Sequence, residues 1–224
     1  APRHVEFSEV PPVSISNSQR EPLPDANWVA TIPHGLADTL RPSTAPGSYF
    51  AFLGRISPEK GIDRAIHIAT ALNQRLKVAA KIDPADVRYF EQEIKPLLDN
   101  PLVEFIGEIG ENQKSEFLGQ ASALLFPIDW PEPFGLVMIE SLACGTPVVA
   151  FRNGSVPEII DDQHTGFIVD TIEEAIAAAR CVHRLGRAAC RQAFEQRFTA
   201  RRMAEQYAAT YTRMITTHRS DAAA

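Results

Sequence analysis

The chain has 224 residues, 45% hydrophobic, 22% charged and 8% aromatic, enough for a substantial core; this excludes a disordered, collagen-like or coiled-coil chain. A formal net charge of −6 offers no broad attraction for a polyanion, so nucleic acid is not an expected partner, although converging cations and backbone N–H groups can still hold a small anion. Cys144, Cys181 and Cys190 lack CxxC spacing and read as small core residues of a reducing compartment, so a cytoplasmic location is expected.

No run approaches the ~20 apolar residues that span a bilayer, and the opening APRHVEFSEV lacks the basic-then-apolar pattern of a signal peptide. Without an initiator Met, residue 1 is not expected to be the natural start. Eight of the seventeen prolines fall in the first 46 residues, a stretch without helical or alternating period, so an extended segment and linker are expected there. From Tyr49 onward six β-rich apolar runs follow: YFAFLGR (49–55), KVAAKI (77–82), VEFIGEI (103–109), ALLFPI (123–128), PVVAFR (147–152) and TGFIV (165–169). Their near-continuous hydrophobicity is that of strands buried on both faces. Ile62, Ala65, Ile66, Ala69 and Leu72 recur at helical spacing after the first run, as do Val87, Phe90, Ile94 and Leu97 after the second. Beyond the last run, helices are expected from Thr171 to about Arg180 and from Arg184 to about Phe198. A final helix carries the stripe Met203, Tyr207, Tyr211 and Ile215, read as packing rather than as a cofactor site. The alternation predicts an α/β fold, a Rossmann-like parallel sheet with helices on both faces and ligands at the carboxyl ends of its strands.

The first strand runs into Gly54-Arg55-Ile56-Ser57-Pro58-Glu59-Lys60-Gly61 and then a helix. An anion fits where Arg55 and Lys60 meet a helix start, and an exposed turn with two solvated cations is an equal reading of composition alone. No GxGxxG or GxxxxGK[ST] follows any strand, so neither a dinucleotide fingerprint nor a P-loop is present. In the second segment, DWPEPFGLVMIESLACGTP (129–147), Pro133 keeps Glu132 in a loop and the helix is expected to begin near Phe134 or Gly135. Free N–H groups of Gly135, Leu136 and Val137 would form a second anion site. Glu140 lies in the apolar stretch LVMIESLAC, where a lone carboxylate is costly without a hydrogen-bonding partner. Glu132 then complements the helix dipole and Glu140 pairs with a neighbouring cation, or the two belong to a pocket for a nucleoside diphosphate joined to a sugar, with a carboxylate on the ribose hydroxyls.

Glu132 and Glu140 are separated by seven intervening residues within PEPFGLVMIESLACGTPVVA, followed by GSVPEII (154–160) and TGF (165–167). With GRISPEKG, this order of motifs from about Ile32 to Met214 resembles glycosyltransferase family 4, the group 1 retaining glycosyltransferases of GT-B fold. The resemblance implies that Arg55 and Lys60 hold the donor diphosphate and balance leaving-group charge, that Glu132 contacts the transferred sugar, and that Glu140 binds the ribose. Glu132, Arg55 and Lys60 are thus the implied catalytic residues. Gly54, Pro133 and the backbone of Phe134, Gly135, Leu136 and Val137 would face sugar and phosphates, with the base against the strand end from Gly107 to Ile109. No cofactor and no metal are implied; the donor is expected to be a nucleotide-sugar, a UDP-sugar by frequency within the family. The acceptor would be a carbohydrate, lipid or small-molecule hydroxyl.

The resemblance also divides the chain. Residues 1–34 are expected to be a remnant of an N-terminal acceptor domain and hinge, 35–198 the donor-binding domain, and 199–224 a helix crossing back towards the first domain, with a tail. A chain with this half alone is expected to bind nucleotide weakly and transfer little or no sugar. It departs from the family pattern at AKIDP (80–84), where Lys81 is either a further donor cation or a surface residue, and at PHG (33–35), where His34 reads as a hinge residue rather than a base. His4, His67, His164, His183 and His218 show no pairing at ligand or triad spacing. The rival readings are a non-catalytic nucleotide-sugar-binding module and a GT-B phosphorylase or epimerase; a dinucleotide-dependent dehydrogenase ranks last.

Overall fold

A computed structural model describes residues 10–45 and 47–221. His4, the first nine residues of the expected 1–34 segment and the last three of the 199–224 segment lie outside it. Two short strands, β1 (Val13–Ser14) and β2 (Ala30–Thr31), pair in parallel. The main sheet comprises β3 (Tyr49–Arg55), β4 (Leu76–Lys81), β5 (Val103–Gly107), β6 (Ala121–Phe126), β7 (Val148–Phe151) and β8 (Gly166–Val169). Its order is β5-β4-β3-β6-β7-β8, parallel throughout. The helices are α1 (Ile62–Ala71), α2 (Val87–Tyr89), α3 (Glu111–Gly119), α4 (Leu136–Ala143), α5 (Val156–Ile159), α6 (Ile172–Cys181), α7 (Arg187–Arg197) and α8 (Ala200–Asp221).

Alternate side chains of each central strand enter two different cores, which is why the strands read as unbroken apolar runs. Tyr49, Ala51, Leu124, Phe126, Val148 and Ala150 join a core with α3, α4, α5 and α7. Phe50, Phe52, Ala123, Leu125, Val149 and Phe151 join the other with α1 and α6. Between β3 and β6 the strand order reverses direction, and there the connections leave to opposite sides and open a crevice at the carboxyl edge.

Several expected elements differ in detail. The stripe from Val87 to Leu97 does not form one α-helix: α2 passes into a π turn at Phe90–Ile94 and a 3-10 segment at Lys95–Asp99. Pro96 has no N–H to continue an α ladder, and of the four stripe residues only Ile94 is buried, with Val87 and Leu97 exposed. β5 ends at Gly107, which leaves Glu108 and Ile109 in a loop. The helix expected from Arg184 begins at Arg187, after a 3-10 turn at Val182–Arg184. Cys144 and Cys190 are core residues, whereas Cys181 is half-buried. On α8 the expected packing stripe is divided: Met203 and Tyr207 are half-buried, but Tyr211 and Ile215 are 54% and 53% exposed.

The described part of the proline-rich opening is fastened to the rest. The Ser16 hydroxyl donates to the Pro133 carbonyl at 2.5 Å, and Glu158 accepts the backbone N–H groups of Asn17 and Ser18 at 2.7 and 2.9 Å. Leu36 exchanges backbone bonds with Phe198 and Ala200 at 2.9 and 2.8 Å. Among the described residues no helix is long and apolar enough to cross a membrane.

Candidate functional site

Two loops leave the sheet at the reversal point, one after β3 and one after β6, and they are built to touch. Gly61 lets them close, because a Cβ there would lie 2.3 Å from the Pro127 carbonyl oxygen. The Asp129 N–H donates to the Glu59 carbonyl at 2.8 Å. Lys60 and Glu132 thereby meet across the crevice.

The loop from Pro131 to Gly135 is held from behind through its carbonyls. That of Glu132 accepts the Ser155 N–H at 2.9 Å, that of Pro133 the Ser16 hydroxyl at 2.5 Å, and that of Phe134 the Ser155 hydroxyl at 2.8 Å. In a trans peptide the N–H points opposite its carbonyl, so the N–H groups of Phe134 and Gly135 face away from these anchors. Gly135, at φ 78°, caps α4 without a side-chain hydrogen bond, and the helix starts at Leu136 rather than at Phe134 or Gly135. Among the described residues, the N–H groups of Phe134, Gly135, Leu136 and Val137 find no acceptor in the backbone. A helix N-terminus with its first amides free carries partial positive charge.

Those amides border a cavity of about 350 Å³, walled by Leu53 and Gly54 at the end of β3, by Lys60, by Phe126, and by Glu132 through Val137. Ile15 and His34 close one side. The His34 ring meets Phe134 edge-on at 5.0 Å between centroids, and burial lowers its pKa from the ordinary histidine value, which favours the neutral ring. A larger cavity, about 570 Å³, lies at the opposite edge of the sheet around Phe50, Leu72, Pro147 and His183. It is at the amino-terminal edge, away from the strand ends where ligands of open parallel sheets bind.

The charged groups are paired with one another. Lys60 Nζ lies 2.5 Å from Glu132 Oε2, the Trp130 indole N–H donates to the same oxygen at 3.0 Å, and the ammonium stands 5.7 Å from the indole centroid. Arg55 does not line the cavity. Its guanidinium reaches Glu59 at 2.7 Å, Asp83 at 3.3 Å and Asp86 at 3.7 Å, and hydrogen bonds to the first two hold its pKa above the ordinary value. Lys81 is exposed and lies 2.9 Å from Asp83. Glu140 is buried on α4, and Lys114 of α3 supplies the cation its setting demands, Nζ to Oε1 at 2.8 Å.

The cavity therefore brings together Gly54, Lys60, Glu132, Pro133, Phe134, Gly135, Leu136 and Val137. Arg55, Gly107, Ile109 and Glu140 stand outside its wall. Gly107 ends β5, two strands from β3, and a Cβ there would meet nothing within 4 Å, while Ile109 packs against the core. Sequence reasoning missed Ile15, Lys114 and Trp130. A buried carboxylate in LVMIESLAC signals that some cation must reach it, but not which of the 22 lysines and arginines does. Among the described residues no three His, Cys, Asp or Glu side chains converge as metal ligands.

Comparison with known proteins bears on this arrangement. The model of the family described as glycosyl transferases group 1 matches residues 42–186. A D-inositol 3-phosphate glycosyltransferase from Streptomyces griseus is 32% identical over 224 aligned residues, covering 84% of this chain and 47% of that protein. One of the same description from Salinispora arenicola is 33% identical over 154 residues, 59% of this chain and 32% of that protein. The chain thus spans about a third to a half of these relatives' length. Among solved structures, AviGT4, a glycosyltransferase involved in avilamycin A biosynthesis, superposes with a TM-score of 0.75 at 26% identity, over 91% of this chain and 63% of that one. The Anabaena protein HepE, in complex with UDP, shares the fold at a TM-score of 0.77 and 20% identity, over 89% of this chain and 63% of that one. The six-stranded sheet is the Rossmann-like lobe of a GT-B fold.

Proposed function

Because the chain belongs to the group 1 glycosyl transferases, we propose that it is the donor-binding half of a retaining, family 4 hexosyltransferase that moves a sugar from a nucleotide-sugar, a UDP-sugar in the first instance, to an acceptor hydroxyl. The observation that carries the reading is the row of free amides at the start of α4 facing Lys60 across the crevice. Such a row with an adjacent ammonium matches a diphosphate, whose charge grows as it leaves. The bond between the anomeric carbon and the diphosphate oxygen breaks with both electrons on the diphosphate. The acceptor oxygen then bonds to that carbon on the face just vacated, and its proton passes to the departing diphosphate.

In this reading Lys60 and the α4 amides stabilise the leaving group without a metal, and Glu132 contacts the sugar. Its pairing with Lys60 supports that role, because the ammonium offsets the repulsion a bare carboxylate would exert on a diphosphate. Arg55 reaches the diphosphate only by giving up part of its hold on Glu59 and Asp83. Glu140 takes the ribose and the loop after Gly107 the base. The acceptor, a carbohydrate, lipid or small-molecule hydroxyl, is bound mainly by a domain outside this chain, and the reaction belongs in the cytoplasm. Calorimetric titration with UDP, GDP, ADP and TDP, without metal and then with Mg²⁺, tests the reading. It expects one nucleotide to bind selectively and equally well in both conditions; binding only with Mg²⁺ contradicts the metal-free site, and no binding of any of the four contradicts the donor-lobe assignment.

A further inference from the structure

We infer that Lys114 is a positioning residue for the donor's ribose, clamping one oxygen of Glu140 so that the other is presented to the sugar hydroxyls of a nucleoside diphosphate. The inference rests on the donor-lobe reading above and extends it to a residue on a different helix.

Lys114 is the fourth residue of α3, which follows β5, and Glu140 the fifth of α4, which follows β6. Both helices begin at the carboxyl edge of the sheet, so the pair sits near the edge where the cavity opens. The contact is a sheltered one: the two side chains are 15% and 11% exposed, with Nζ 2.8 Å from Oε1. Burial opposes the charge on Lys114, yet hydrogen bonds to Glu111 and Glu140 outweigh it and hold the ammonium's pKa above its ordinary value. Glu111 is 78% exposed, so solvent screens that contact more than the sheltered one with Glu140.

The second oxygen of Glu140 is the informative one. Among the described residues Oε2 accepts no hydrogen bond, and none of their buried side-chain oxygens lacks a partner. Oε2 therefore keeps some contact with solvent although its residue is only 8% exposed. A carboxylate has about four acceptor positions, of which the ammonium occupies one. The arrangement is a charged acceptor held at one oxygen on an otherwise apolar helix, with positions left over that suit hydroxyl donors. Without the cation the same carboxylate would be a largely buried charge with no partner to hold its orientation.

The test is the ratio of affinities for a nucleoside diphosphate and its 2′-deoxy counterpart, measured calorimetrically with UDP, GDP and ADP and their deoxy forms on the tightest binder. Lys114→Met is expected to lower the ribo-to-deoxyribo preference by ~10-fold or more, the value of a charge-assisted hydrogen bond, and Lys114→Arg to restore it to within ~3-fold. Glu111→Gln is expected to leave it unchanged. A Lys114→Met protein that loses thermal stability but keeps the wild-type ratio overturns the inference and leaves Lys114 as a structural counterion. Glu140→Gln separates the two levels. If it abolishes the preference while Lys114→Met does not, only the inference falls; if neither variant changes the ratio, or no nucleotide binds, the ribose assignment falls and the inference with it.

Discussion

Glu132→Gln is expected to bind nucleoside diphosphate more tightly than the wild type while losing some stability. Lys60 is committed to Glu132 at 2.5 Å, with side chains 22% and 12% exposed, so the pair is shielded beyond the ordinary surface case. Exposed pairs are worth roughly 0–1 kcal/mol and breaking buried ones costs roughly 3–5 kcal/mol, which places this one at about 1–2 kcal/mol. Glutamine keeps an oxygen for the Trp130 indole N–H, now at 3.0 Å, but no longer neutralises the ammonium. The protein should lose about 1–2 kcal/mol, a melting-temperature drop of roughly 2–8 °C for a chain of this size. A diphosphate then meets a freed cation and no adjacent carboxylate, worth about 1 kcal/mol after screening, or roughly five-fold in Kd. Differential scanning calorimetry and titration with the preferred nucleotide read both effects. A folded Glu132→Gln protein with unchanged or weaker nucleotide affinity refutes the reasoning.

Other outcomes follow from the same geometry. Lys60→Ala should weaken nucleoside diphosphate binding by about 1.5–3 kcal/mol and the free nucleoside hardly at all, and Arg55→Ala should cost less because three carboxylates already hold that guanidinium; equal losses for diphosphate and nucleoside would sink the phosphate assignment. At Gly154, φ 54°, a Cβ would stand 2.3 Å from the Glu132 carbonyl oxygen, so Gly154→Ala should cost about 1–3 kcal/mol and displace Glu132, and an unchanged melting temperature would contradict this. Burial pushes the Cys144 and Cys190 thiols up to about 12, so alkylation at pH 8 followed by mass spectrometry should label Cys181 first; equal labelling of all three would contradict the burial. Because these folded-state values, and that of Tyr49 at about 12, lie above the ordinary ones, their contribution to stability is whole below about pH 8.5 and lost as pH rises towards 12. The melting temperature should therefore fall between pH 9 and 11, and a rise would refute the assignment.

How far the sequence can be read follows from how local each cause is. The strands were legible because both faces are buried, so that runs such as YFAFLGR need no partner to be recognised, and β3 occupies Tyr49–Arg55 as expected. The loop before α4 was legible because Pro133 and Gly135 act on their own backbone. The π turn at Phe90–Ile94 was not, since the apolar spacing continues through it and the disruption comes from Pro96 further on. The ion pairs were not either: Lys60 reaches Glu132 across 72 positions and Lys114 reaches Glu140 across 26, distances at which charge carries no periodic signal. The proline-rich opening looked like linker, yet Ser16 is fastened to Pro133, 117 positions away, and Ile15 lines the cavity.

The most direct test of the donor site is to follow backbone amide resonances of the chain as the preferred nucleoside diphosphate is added. The account predicts saturable shifts at Gly54, Phe134, Gly135, Leu136 and Val137 that match the calorimetric affinity and saturate only at roughly 10-fold or more higher nucleotide in Lys60→Ala. Shifts confined to the opposite edge of the sheet, around Leu72, Gln74 and His183, would contradict it.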